Sequence, residues 1–137
     1  MNHHDHFKRS PCAVANSLDI VGDKWSLLVV RDLLQGNCTY GDLAKSPERI
    51  PTNILAERLR RLESAGIVAS TPYQAHPTRY AYSLTPKGRD LGDVLSAFVR
   101  WGKRYIPGTV ALKRGPTNAE ADVSSASFRR TRPGHAK

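Results

Sequence analysis

At Gly66 the hydrophobic rhythm of the chain changes from that of a helix to that of a strand. Before it, IPTNILAERLRRLESAGIV (residues 50–68) places Leu55, Leu59 and Leu62 at i, i+4 and i+7. That spacing makes one apolar stripe on a helix. Asn53, Glu57, Arg60, Arg61 and Ser64 fall roughly opposite. After it, IVASTPY and TRYAYSL alternate and are rich in β-branched and aromatic residues, joined by QAHP. Two such runs with a proline-containing link predict a two-stranded hairpin with a basic, histidine-bearing tip. A helix that runs straight into a hairpin leaves few folds open.

The flanking sequence narrows them further. Ser10-Pro11 predicts a helix start, with a capping serine and proline at the first helical position. That helix, CAVANSLDIV, stops at Gly22. Asp23 is placed to cap KWSLLVVRDLL, which ends at Gly36. Trp25, Leu28, Val29 and Leu33 share a face, and the run Leu27–Val30 is apolar nearly all round, so this helix is expected at the centre of the core. Thr39-Tyr40 precedes a short helix, GDLAKS, broken by Pro47, and Thr52 is expected to cap the leucine-striped helix. Thr85-Pro86 begins a last long helix, KGRDLGDVLSAFVRWGKRYI. In it Leu91, Leu95, Phe98, Trp101 and Tyr105 step by 4, 3, 3 and 4, close to a heptad seam.

The expected fold is therefore mostly α with a small β-hairpin (α+β). Two helices joined by a tight turn and followed by a hairpin are the layout of a winged helix-turn-helix. Residues 1–9 are expected to form a flexible N-terminus, 10–106 the folded domain, and 107–137 a basic, disordered tail. The tail is rich in Gly, Pro, Ser, Thr, Ala and Arg, too poor in large apolar groups to offset its ordering entropy.

The 137-residue chain carries a formal net charge of +9. Residues 1–106 hold 15 Lys/Arg against 10 Asp/Glu, a net +5, and residues 107–137 hold 6 against 2, a net +4. The excess suggests a polyanionic partner, and nearly half of it lies in the expected tail, where RRTR at Arg129–Arg132 would either add affinity for phosphates of any sequence or only aid solubility. No apolar run reaches the length of a membrane span, and MNHHDHFKRSP has no apolar stretch behind its charges, so a cytoplasmic protein without membrane contact is expected. There is no glycine-rich phosphate loop, no Cys/His cluster at metal spacing and no Ser/His/Asp set on identifiable elements. Neither catalysis nor a metal or other cofactor is expected.

Taken in order, Cys12, LDIVGDKWSLLVVRDLL, TYGDL, IPTNILAERLRRLESAGIV, TRYAYSLTPKGRDL and Trp101-Gly102 resemble the HxlR-type family of bacterial transcription regulators. The resemblance covers about residues 10–105. It implies a homodimer on a pseudo-palindromic operator of double-stranded DNA, with N- and C-terminal helices forming the dimer contact. Ala15 and Leu18 on the first helix, and Leu91, Leu95, Phe98, Trp101 and Tyr105 on the last, supply suitable surfaces. In some relatives a cysteine near the N-terminus senses oxidants or electrophiles, and Cys12 occupies that position. The chain departs from the family at the start of the reading helix. Pro51-Thr52-Asn53 stands where Ser-Pro-Lys is frequent, which shifts an expected lysine contact to Asn53.

In a winged helix-turn-helix the second helix of the pair lies in the major groove, with its N-terminal residues at base edges. The candidate DNA-binding residues are then Thr52, Asn53, Glu57, Arg58, Arg60 and Arg61 on that helix, with His76 and Arg79 at the wing. Asn53 suits a bidentate bond to adenine and Glu57 an amine of cytosine. Arg60 and Arg61 suit phosphates. Arg58, on the flank of the stripe, either holds a carboxylate within the domain or reaches a phosphate. A wing arginine such as Arg79 suits a narrow minor groove. Cys12, expected in the first turn of its helix after Lys8 and Arg9, is the candidate redox sensor, because a helix N-terminus and nearby cations favour thiol reactivity. A packed, inert thiol is the competing reading. The competing function is a winged-helix protein-interaction adaptor that reads no DNA.

Overall fold

The computed structural model describes residues 9–113 and 115. Six helices and one hairpin follow in order: α1 (Ala13–Val21), α2 (Ser26–Leu34), α3 (Tyr40–Ala44), α4 (Thr52–Ser64), β1 (Val68–Ala75), β2 (Thr78–Leu84), α5 (Pro86–Arg89) and α6 (Leu91–Tyr105). The mostly helical fold with one small hairpin is the one expected. Among the described residues no helix is long and apolar enough to cross a membrane.

The helix α2 is central. Val29, Val30 and Leu33 are buried, and they join Leu43 of α3, Leu55, Leu59 and Leu62 of α4, and Val68 and Leu84 of the hairpin in one core. Burial of each such side chain contributes roughly 1.5–3 kcal/mol, so the leucine stripe of α4 largely decides where that helix docks. Asp23 starts α2 as expected, its carboxylate accepting from the backbone N–H groups of Trp25 and Ser26 at 3.0 Å each. Thr39 caps α3 by accepting from Asp42 N–H.

Two expected caps are not made. Cys12, in extended conformation, is itself the N-cap position of α1, and no side chain caps that helix. Ser10 instead accepts from Cys12 N–H, one position too early. Thr52 is the first residue of α4, after Pro51, and again no side chain caps the start. Proline lacks an N–H and has its φ set near the helical value, but it sits here with an extended ψ of 142°, which leaves Thr52 inside the helix.

The turn into α4 is held from α2. Arg31 donates to both oxygens of Glu48 at 2.8 Å, to Asp32, and to the hydroxyl of Ser46. Arg49 adopts φ +61°, a left-handed conformation that costs a side-chain-bearing residue about 1–2 kcal/mol. The Arg31–Glu48–Ser46 network offsets that cost and aims the chain into the helix. Gly66, at φ +77°, ends α4, and Ile67 N–H returns to Leu62 C=O at 2.9 Å.

The hairpin pairs Val68 with Leu84 and Ala75 with Thr78, so only His76 and Pro77 remain as the loop. The first strand thus runs two residues further than its alternation suggested. The register shifts between Pro72 and Gln74. A bulge beside a proline, which cannot donate to the ladder, lets the strand continue past it. Tyr82 N–H donates to Cys38 C=O at 2.7 Å and Thr39 bridges Ala81, so the segment before α3 forms a short third edge to the wing.

The last helix is two pieces. Thr85 caps the single turn of α5, Asp90 interrupts, and α6 begins at Leu91. Gly88 packs on the α4–β1 junction so closely that a Cβ there would meet Ile67 O at 2.2 Å. Leu91 and Leu95 are half-buried against the core. Phe98, Trp101 and Tyr105, the rest of the expected seam, are 57%, 59% and 58% exposed. Beyond α6 the chain turns at Gly108, and Gln35 at the end of α2 donates to Leu112 C=O at 2.9 Å. The described residues after Pro107 therefore contact the domain. The remainder of the expected tail, and residues 1–8, lie outside the described residues.

Candidate nucleic-acid interface

The α4 helix has two faces. Leu55, Leu59 and Leu62 are buried, while Thr52, Asn53, Glu57, Arg60, Arg61 and Ser64 are exposed. Asn53 and Glu57 are four residues apart, one turn, so they neighbour each other on the outer face. The helix is anchored at three places. The Tyr40 hydroxyl donates to Thr52 C=O at 2.7 Å, Arg58 donates to Asp23 at 2.8 Å, and the Ser70 hydroxyl of β1 donates to Glu63 at 2.8 Å. These bonds join the start, middle and end of α4 to α3, to the start of α2 and to the wing.

Arg58 differs from the other arginines of α4. Its side chain is only 15% exposed, and it donates to Asp23 and to Glu57. Burial alone would raise the Asp23 pKa. Hydrogen bonds from the Ser26 hydroxyl, Arg58, and the N–H groups of Trp25 and Ser26 outweigh it and hold the carboxyl well below the usual range. Glu48 behaves similarly. The Arg31 hydrogen bonds outweigh partial burial and lower its pKa to about 2.

Arg60 and Arg61 border a shallow groove of about 350 Å³ together with Ser64 and Ala65 of α4 and Asp19 and Ile20 of α1. At the wing, His76 lies in the two-residue loop and Arg79 pairs opposite Gln74, both exposed. Cys12 is exposed and Cys38 is buried. Of the two cations expected near Cys12, Arg9 pairs with Asp19 at 2.9 Å and donates to Ala15 C=O, and Lys8 lies outside the described residues.

The sequence reading missed the anchoring partners. Asp23 was visible only as a cap, because its second partner is 35 residues away in the chain. Tyr40 and Ser70 carry no local signature of the contacts they make with α4.

Comparison with known proteins decides the lineage. The sequence model of the HxlR-like helix-turn-helix family matches residues 20–109, which contain α2 to α6 and the wing. The chain belongs to the HxlR-like helix-turn-helix family. An uncharacterized HTH-type transcriptional regulator of Mycobacterium tuberculosis is 37% identical over 95 residues, 69% of this chain and 60% of that protein. The chain thus matches about three-fifths of that relative's length. Among solved structures, PA1607, described as a candidate transcription factor, is similar with a TM-score of 0.68 and 36% identity, covering 82% of this chain and 79% of that one. The redox regulator HypR in its oxidized form is similar with a TM-score of 0.60 and 31% identity, covering 68% of this chain and 96% of that one. In this family's helix-turn-helix fold α3 and α4 form the helix pair and the hairpin forms the wing.

Proposed function

We propose that this HxlR-like protein is a cytoplasmic, sequence-specific DNA-binding transcriptional regulator without enzymatic activity. It acts as a homodimer on a pseudo-palindromic operator. The observation that carries this reading is the exposed face of α4, where Asn53, Glu57, Arg60 and Arg61 stand over a buried leucine stripe. An amide and a carboxylate suit base edges, and two guanidinium groups suit phosphates. His76 and Arg79 extend the contact from the wing, and Thr52 meets the backbone at the start of α4. Arg58, bound to Asp23 and Glu57, acts within the domain.

The dimer reading rests on apolar side chains that one chain leaves in water. Leu18 on α1 is 53% exposed, and Val94, Ala97, Phe98 and Trp101 of α6 border an apolar groove of about 390 Å³. The α6 residues form one exposed apolar patch, and such a patch marks an interaction surface. A dimer spaces two α4 helices for two half-sites and blocks or reshapes polymerase access at a promoter. Cys12, exposed at the start of α1, is positioned to report an oxidant or electrophile to that assembly by shifting the relative setting of the two reading helices.

Selection of bound fragments from a random DNA pool tests the proposal. At near-physiological salt the expected product is an inverted repeat with half-sites about one or two helical turns apart. No enrichment, with the cysteines reduced and again oxidised, would replace it with the protein-interaction adaptor. A flat dependence of affinity on salt would do the same.

A further inference from the structure

The Arg58 guanidinium links two carboxylates of different kinds. Nε donates to Asp23 Oδ2 at 2.8 Å, and Nη1 donates to Glu57 Oε1. Asp23 is itself locked. It accepts from two backbone N–H groups at the start of α2, and its other oxygen accepts from the Ser26 hydroxyl. Glu57 is the opposite case, on the outer face of α4 one turn beyond Asn53, with its side chain 49% exposed. A rigid path therefore runs from the helix start of α2, through Asp23 and Arg58, to a carboxylate on the surface proposed above to face bases.

That path changes what Glu57 can do. A free surface glutamate loses rotamer freedom when it is ordered. The bond to Arg58 orders it in advance. A carboxylate close to DNA also meets repulsion from phosphates, which a bonded guanidinium offsets. Ionised glutamate only accepts hydrogen bonds. In the major groove an acceptor matches the N4 amine of cytosine. Adenine places its N7 acceptor beside its N6 donor and so repels a carboxylate.

We propose that Glu57 is a specificity-determining residue that selects cytosine at one position of each half-site, and that Arg58 is its positioning residue. The inference rests on the DNA-reading function proposed above. It assigns Arg58 no phosphate contact.

The test is parallel selection from random DNA with the full chain, Glu57→Gln and Arg58→Met. With the parent chain, one half-site position carries cytosine. Glu57→Gln exchanges it for adenine, because an amide offers both a donor and an acceptor to N6 and N7. This variant also loses roughly tenfold or more in affinity for the parent operator. Arg58→Met blurs the preference at that position and leaves the other positions as they were. A merely structural role would not single out one position.

An unchanged preferred sequence with Glu57→Gln overturns the inference, and this exposed substitution decides the matter even if Arg58→Met fails to fold. Arg58→Met weakening all DNA alike, with a salt slope lower by about one, would return Arg58 to the phosphates and also overturn it. No operator with the parent chain would remove the DNA-reading function and this inference together. An operator with the parent chain and no change with Glu57→Gln removes the inference alone.

Discussion

Asn53 and Glu57 occupy equivalent positions on successive turns of α4, but the protein treats them differently. Asn53 is exposed, while Glu57 is bound by Arg58. Asn53→Ala is expected to cost about 1–3 kcal/mol of affinity at the matched operator with little change on random DNA. Equal losses on both, measured by titration at one salt concentration, would make Asn53 a backbone contact. The sequence was sufficient to place both residues on the polar face, because helical phase follows from spacing alone. It left Arg58 between two roles, because the choice depends on Asp23, which reaches the guanidinium only when α2 and α4 pack.

At the scale of elements, the turn between α3 and α4 shows how a helix is aimed. Its strain at Arg49 is offset by Arg31, which binds Glu48 and Ser46. The Glu48 carboxyl is depressed from 4.5 to about 2 in the fold. A depressed carboxyl stabilises the folded state fully above its unfolded value and loses that contribution as pH falls through the folded one. Stability should therefore decline between about pH 4.5 and 2, with Glu48 contributing on the order of 1 kcal/mol once solvent screening is allowed for. Chemical denaturation across that range checks this. Glu48→Gln should flatten the decline, and an unchanged slope would assign it to other carboxylates. Element existence and type were legible from periodicity and from Gly36 and Gly66, whose positive φ values end helices. The starts of α1 and α4 differ from those that Ser10 and Thr52 suggest, because serine and threonine near a helix start have several local hydrogen bonds open to them.

For the whole molecule, the seam on α6 divides. Leu91 and Leu95 pack on the core of their own chain, whereas Phe98, Trp101 and Tyr105 face outward. The double substitution Phe98→Glu with Trp101→Glu is expected to give a species sedimenting at the monomer mass with its helical circular dichroism retained. A variant that still sediments as a dimer would exclude this face from the assembly. The sequence spacing placed all five residues on one stripe. It could not separate those that fill the domain from those left exposed, because that depends on how far α2 extends beneath α6.

Sequence alone determined the order of elements, the leucine stripe, the polar face of α4 and the hairpin. Each of these follows from periodicity and from residues with restricted backbone choices, which act over a few positions. Only the tertiary structure decided that Arg58 serves Asp23 and Glu57, that Tyr40 holds the start of α4, that Cys38 supports the wing edge, and that two of the five α6 seam residues pack on the core. These contacts join residues far apart in the chain, and their geometry exists only once the apolar stripes have docked.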